Sequence, residues 1–327
     1  MINPIHSNLY KLTSKKYLLS LLHIHNRQFF KQSYVSKHIS PYIQTDPKPR
    51  LIEVPSEELK IIQWHIKNEL NKIIVPNNIF SGIKGKSYIG NAKLHSGNKY
   101  VFKIDLCAFF PCITRNTVYN FFIDSLKTSP DIANILTNLL TVDLSKCNIK
   151  NVESVNTFLI SKKIKTRNHL ISGSPASQIL SYLVNHKMFD SLQNFCNKNN
   201  IIMSVYVDDI TFSSQHVISH SQKEIIYKII SKNLYRLSRS KVKYYTKRYP
   251  KLITGAIISP NGNLKIKNSL SYNIIKEWKY FRQNPESIQS KARLQGLIIA
   301  ARQSEPEKFQ NIYDFIRESS ISVFLNL

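Results

Sequence analysis

Residues 204–212 read Ser-Val-Tyr-Val-Asp-Asp-Ile-Thr-Phe, two β-rich arms around a pair of adjacent carboxylates. β-Branched and aromatic residues favour extended backbone, so the spacing predicts a hairpin from Ile201 to Ser213 with Asp208 and Asp209 at its tip. Adjacent carboxylates repel each other, and a divalent cation resolves that repulsion. A third carboxylate of the same kind lies about a hundred residues earlier: Asp105 ends the apolar strand Lys103-Ile104-Asp105-Leu106, just before Phe109-Phe110-Pro111. Taken singly, the ordinary readings are a turn-forming Asp pair and a strand-end cap. Together they form the donor set that two-metal phosphoryl transfer needs, one ion activating a hydroxyl and the other holding a triphosphate. Asp105, Asp208 and Asp209 are the candidate catalytic and metal-binding residues, with two Mg²⁺ ions as cofactor.

The charge balance narrows the partner. Of 327 residues, 46 are Lys or Arg and 20 are Asp or Glu, a formal net charge of +26. Self-repulsion of that size is tolerated where a polyanion neutralises it. Residues 225–276 carry twelve Lys/Arg and no acid, interleaved with Tyr235, Tyr244, Tyr245 and Tyr249, and residues 154–189 lack acids too. Cations with aromatics between them suit a phosphate backbone and stacked bases better than a merely solvated face or a membrane surface. Cys107, Cys112, Cys147 and Cys196 make no CxxC pair or zinc spacing, and Cys107 and Cys112 are expected in the core. No run approaches the ~18 apolar residues of a membrane span. A cytoplasmic protein with reduced thiols is expected.

Along the chain, residues 1–40 read as one or two helices ending near Pro41. A turn over residues 45–50 feeds a strand from Leu51 to Val54, and Ser56 caps a helix from Leu59 to Ile74. Residues 76–97 hold four of the eight glycines. Within them Gly82-Ile83-Lys84-Gly85-Lys86-Ser87 is too short between its glycines to wrap a phosphate as a P-loop does. A strand from Tyr100 to Leu106 follows, then helices over about 115–145, a strand or loop reaching Gly173, and a helix from Ala176 to Asn197. After the hairpin come a helix over 221–237, a strand pair (Val242–Tyr245 with Lys251–Ile258), and helices after the Pro260-Asn261-Gly262-Asn263 turn.

In this order the blocks resemble those of a reverse transcriptase over nearly the whole chain. Tyr206-Val207-Asp208-Asp209 and Asp105 to Phe110 resemble the two catalytic blocks, Arg50-Leu51-Ile52 the first fingers block, and Gly173-Ser174-Pro175 the nucleotide-pocket block. Gly296-Leu297 and Pro306 resemble the thumb. Asn91-Ala92-Lys93-Leu94-His95 matches the Asn-Ala-x-x-His string of retron reverse transcriptases, and Ile253-Thr254-Gly255 differs from their Val-Thr-Gly only in the first, apolar position. Three positions depart from the family: Ser172 stands where Gln usually precedes the glycine, Ala108 where an acid is common, and the block around Lys241 lacks its usual lead-in.

The resemblance implies an α+β right-hand polymerase fold. Residues 1–45 would be an N-terminal helical region, 46–99 fingers, 100–263 palm (with fingers segments around 125–180) and 264–327 a helical thumb. It implies nucleotide contacts from Arg50, Phe110, Ser172, Gly173 and either Lys241 or Lys243, Phe110 being the aromatic gate under the sugar. Asn91, His95, Thr254 and Gly255 would bind RNA. The implied activity is RNA-directed DNA synthesis on a cognate structured noncoding RNA of msr-msd type. Priming from an RNA 2′-hydroxyl would give a branched RNA–DNA hybrid (msDNA), used in antiphage defence with a separately encoded effector protein. A group II intron or diversity-generating enzyme is the alternative within the family, although the former usually continues into a maturase region for which Leu327 leaves no room. An RNA-binding scaffold without catalysis is the alternative outside it, and three retained carboxylates argue against that.

Overall fold

The computed structural model of the chain describes residues 1–46 and 48–324; Pro47 of the predicted turn and residues 325–327 of the predicted thumb lie outside the described residues. The strands are β1 (Ile39–Gln44), β2 (Arg50–Pro55), β3 (Tyr100–Asp105), β4 (Thr141–Asp143), β5 (Asn168–Leu170), β6 (Ile202–Tyr206), β7 (Asp209–Ser214), β8 (Lys243–Tyr245), β9 (Lys251–Ile253), β10 (Ala256–Ile258) and β11 (Leu264–Lys265). They form the antiparallel pairs β1–β2 and β4–β5, a sheet of order β11–β10–β9, and a four-stranded sheet of order β6–β7–β3–β8. Helices occupy most of the remaining chain, so the fold is α+β.

Local chemistry accounts for many of these boundaries. The Ser56 hydroxyl accepts from the Leu59 amide and Glu57 and Glu58 sit in the first turn, so the helix Glu57–Leu70 starts with a capped, charge-matched end. Its Leu59, Ile62, Ile66 and Leu70, spaced three and four apart, form the buried stripe. β1 carries Pro41, which has no amide to donate and is tolerated in a two-stranded ribbon.

Several elements differ from the sequence reading. The N-terminal region is less helical than expected, with the short helices Lys15–Leu22 and Gln32–Lys37 followed directly by β1. Val152–Ser161 is a helix where a strand or loop was predicted: Asn151 caps it, and Val155, Phe158 and Leu159 form its buried face. The helix expected over 176–197 is two helices, Ser177–Leu183 and His186–Lys198. At the break the Asn185 amide group donates to the Ser181 carbonyl and accepts from the Tyr235 hydroxyl. β8 pairs with β3 rather than with the following strands, and β9 folds back on β10. Cys107 and Cys112 are half-buried, not core, whereas Cys196 is buried, and all four thiols are free. No helix among the described residues is long and apolar enough to cross a membrane.

The chain divides into two compact units. The first comprises Met1–Lys86, Ile104–Ile210 and Ser219–Val242; the second comprises Ser87–Lys103, Thr211–Ile218 and the chain from Lys243 onward. In the second, the helices Asn268–Gln283, Ile288–Arg302 and Gln310–Phe324 enclose a core of Ile274, Phe281, Leu294, Ile298 and Ile316. A separate cluster of Ile89, Val101, Ile253, Ala256 and Ile258 joins the segment 87–103 to β9 and β10. Also in this unit, Phe102 of β3 is 1% exposed and stacks on Phe212 of β7 with ring centroids 5.8 Å apart. Phe102→Ala is expected to cost about 3–5 kcal/mol, read as a lowered denaturant midpoint; an unchanged midpoint would contradict this packing.

Candidate active site

The Asp-Asp hairpin turns at Val207 and Asp208. Val207 has φ 58°, a left-handed conformation costly for a β-branched residue. Its amide donates to the hydroxyl of Ser81 at 2.9 Å, and Ser81 is buried. The segment leading to Ser81 runs beside β6: the Val205 amide donates to the Asn78 carbonyl and the Phe80 amide to the Val205 carbonyl. The glycine-rich stretch thus supplies the support for the strained turn.

Asp105 ends β3 in the same unit. The next amide, Leu106, donates to the Asp208 carbonyl at 2.9 Å, and the Ser238 amide donates to the Asp105 carbonyl at 2.9 Å. The first bond sets the backbones of Asp105 and Asp208 side by side, and the second ties the end of β3 to the segment that leads to Lys241. Burial first, then the charges of Asp105 and Asp209, push the Asp208 carboxyl up to about 6. The Lys241 ammonium lies 2.6 Å from an Asp105 carboxylate oxygen and pulls Asp208 the other way. Among the described residues no group of three or more His, Cys, Asp or Glu is gathered as a metal cage. An oxygen-only donor pair suits a hard divalent cation, and Lys241 occupies Asp105 with the positive charge such an ion would bring. Asp105 and Asp208 are the residues that could hold one.

The other predicted nucleotide contacts are distributed around this centre in sequence but differ in setting. Arg50 is exposed at the head of β2. Phe110 is half-buried in the short helix Phe109–Cys112, which the left-handed Ala108, φ 47°, turns away from the end of β3. Gly173 is exposed, and its backbone lies so close to β2 that a Cβ would collide with the Glu53 carbonyl oxygen. The Ser172 hydroxyl is engaged within the protein, donating to the Leu51 carbonyl and accepting from the Glu53 amide. Lys241, not Lys243, reaches Asp105; Lys243 is on β8 opposite Lys103.

The predicted RNA-binding residues come together in the second unit. Thr254 and Gly255 connect β9 to β10 as a two-residue turn with φ 43° and 105°, the doubly left-handed geometry that tight hairpins favour and Thr resists. The Thr254 hydroxyl donates to the Tyr88 carbonyl and accepts from the Asn91 amide group at 3.2 Å, which holds the turn. His95 pairs with the Ser213 hydroxyl at 2.7 Å, and burial lowers its pKa to about 3, so the ring is neutral at pH 7. Asn98 donates to the same hydroxyl. Asn91 and His95 are buried, which leaves half-buried Thr254 and Gly255 as the accessible members of the set.

Sequence reasoning missed Ser81, Glu53 and His169. For Glu53 a signal exists: the alternation of β2 places Leu51, Glu53 and Pro55 inward, an acid where an apolar residue is the norm. Ser81 carries no such signal.

The raised Asp208 pKa fixes the sign of a pH effect. Above about pH 6 the carboxyl is ionised in both folded and unfolded chains, and the folded one bears the full penalty. As pH falls from there toward the ordinary carboxylate range the folded chain takes up a proton first and the penalty shrinks. Metal-free Asp208→Asn is therefore expected to melt higher than the wild type at pH 8, with the gain fading by about pH 4. A gain that grew on acidification would contradict the assignment.

Residues 43–289, more than half of the chain, match the family model for reverse transcriptase (RNA-dependent DNA polymerase). The chain is 24% identical over 284 residues to the retron Ec83 reverse transcriptase of Escherichia coli, covering 85% of this chain and 84% of that one. It is 29% identical over 197 residues to the retron Se72 reverse transcriptase of Salmonella heidelberg (strain 579083-10), covering 58% of this chain and 45% of the relative, so it spans less than half of that relative's length. With the retron Ec86 reverse transcriptase of Escherichia coli the identity is 27% over 216 residues, 65% of this chain and 60% of the other. The relatives it matches are retron reverse transcriptases, and the chain belongs to the reverse transcriptase family.

Proposed function

We propose that the chain is an RNA-directed DNA polymerase that copies part of a cognate structured noncoding RNA of msr-msd type into single-stranded DNA. The observation that carries this reading is the backbone bond from Leu106 to Asp208, which sets Asp105 and Asp208 side by side with Lys241 against them. Asp105 and Asp208 would hold two Mg²⁺ ions with Asp209 in support, and the bound metal would lower the barrier for primer attack and steady the triphosphate. Lys241 contributes positive charge toward the triphosphate, and Arg50 adds a second cation. Phe110 lies under the sugar and disfavours a 2′-hydroxyl, with Gly173 offering close backbone approach to the nucleotide. Residues 46–99 serve as fingers, 100–263 as palm and 264–327 as thumb, after the N-terminal region 1–45. Thr254 and Gly255 meet the cognate RNA, with Asn91 bracing the turn from beneath and His95 fixing the segment that carries Asn91 against Ser213 of β7. Priming from an RNA 2′-hydroxyl gives the branched hybrid, and the product works in the cytoplasm, in antiphage defence, with a separately encoded effector protein.

Primer extension with dNTPs and Mg²⁺ tests the core of this reading. Wild-type protein is expected to make DNA and Asp208→Asn none; equal product from both would sink it. Phe110→Val is expected to raise ribonucleotide incorporation by about tenfold or more, since a steric gate discriminates on that scale, and unchanged selectivity would remove Phe110 from the sugar. Replacing Thr254 and Gly255 is expected to weaken use of the cognate RNA while sparing a supplied primer–template. Equal loss of both would count against recognition by this turn.

A further inference from the structure

Glu53 is an acid on the inward face of β2 and is fully buried, as is its partner His169 on β5. One carboxylate oxygen lies 2.6 Å from His169 Nε2, and the other accepts from the Ser172 amide at 2.9 Å. The backbone of Glu53 is tied to the same loop, because its amide donates to the Ser172 hydroxyl and its carbonyl accepts from the Gly173 amide at 3.2 Å. The Ser172 hydroxyl donates in turn to the Leu51 carbonyl. Four hydrogen bonds thus clamp β2 to the Ser172–Gly173 loop, three of them at Glu53, and the His169 contact ties the same carboxylate to β5.

The clamp continues through β5. His169 bridges to Thr114, and the Leu170 amide donates to the Ile113 carbonyl, directly after the helix that carries Phe110. Arg50 heads the strand that carries Glu53. Stability is a poor reason for this arrangement. A buried carboxylate is costly unless fully paired, and His169 Nδ1 is buried with no hydrogen-bond partner among the described residues. An apolar pair of the same volume would avoid both costs but would not hold the loop's amides at a fixed place.

We propose that Glu53, acting through His169 and Ser172, is the positioning residue of the nucleotide pocket, fixing the spacing of Arg50, Gly173 and Phe110 and with it the choice of sugar. The inference rests on the polymerase reading for the identity of the ligand. It assigns Ser172 an internal task, holding the loop rather than touching the nucleotide.

Steady-state extension with dNTPs and with rNTPs tests the clamp on Ser172→Ala, Glu53→Gln and Ser172→Thr. Arg50, Gly173 and Phe110 hold the nucleotide at points away from the reacting atoms, so loosening them removes binding common to ground and transition states: Ser172→Ala and Glu53→Gln are expected to raise the dNTP KM about tenfold with kcat within about threefold, and to reduce the dNTP-over-rNTP preference. Ser172→Thr keeps the hydroxyl and is expected to restore both quantities. KM and sugar preference within about twofold of wild type in both disruptive variants, or a fall confined to kcat and melting temperature, would overturn the proposal. A wild type that makes no DNA defeats the polymerase reading instead, and heat protection by dATP with Mg²⁺ then decides the clamp alone. Protection must be present in the wild type and diminished in Ser172→Ala; equal protection, or none in the wild type, rejects it.

Discussion

The amide of Leu106 donating to the carbonyl of Asp208 is the contact on which the proposed chemistry depends. It forces two carboxylates together against their mutual repulsion, and backbone geometry, not side-chain attraction, does the forcing. Burial first, and then the neighbouring charges of Asp105 and Asp209, push the Asp208 carboxyl up to about 6, and Lys241 settles on Asp105. A site held this way has its charge imbalance built in before any ligand arrives, the arrangement that electrostatic preorganisation requires. Ser81 completes it by holding Val207 in a conformation the residue would not choose alone.

How much of this was legible in the sequence follows from the range of the interactions involved. The hairpin, β3 and the capped helix after Ser56 were readable because alternation, β-branching and caps act over a few residues. The nearness of Asp105 to the Asp208–Asp209 pair could be anticipated because a repelling pair has few structural uses. The pairing of β8 with β3 was not, since it joins positions about 140 residues apart and leaves no mark on either strand. The helix Val152–Ser161 was hidden because its β-branched residues suit a strand as well, and only packing of Val155, Phe158 and Leu159 decides. Ser172 illustrates the limit at the site itself: the sequence places it in the pocket block, whereas its hydroxyl turns inward to Leu51 and Glu53.

The excess of basic residues is a property of surfaces, and the structure shows where cations are instead put to internal use. Lys241 is bound to a carboxylate, and Lys251 has its stem enclosed at the start of β9 with its pKa lowered by burial. Most of the remaining Lys and Arg side chains are exposed or half-exposed, as a polyanion-binding protein needs.

The hydrogen bond between Asn91 and Thr254 has an evolutionary corollary. Two strings 163 residues apart in the chain close on one hydroxyl, and neither is complete without the other. A hairpin tip grafted from one relative onto another would arrive with its left-handed threonine unsupported unless the segment from Tyr88 to Asn98 came with it. Exchange of this region between lineages should therefore proceed as a paired cassette, with the turn and its brace inherited together.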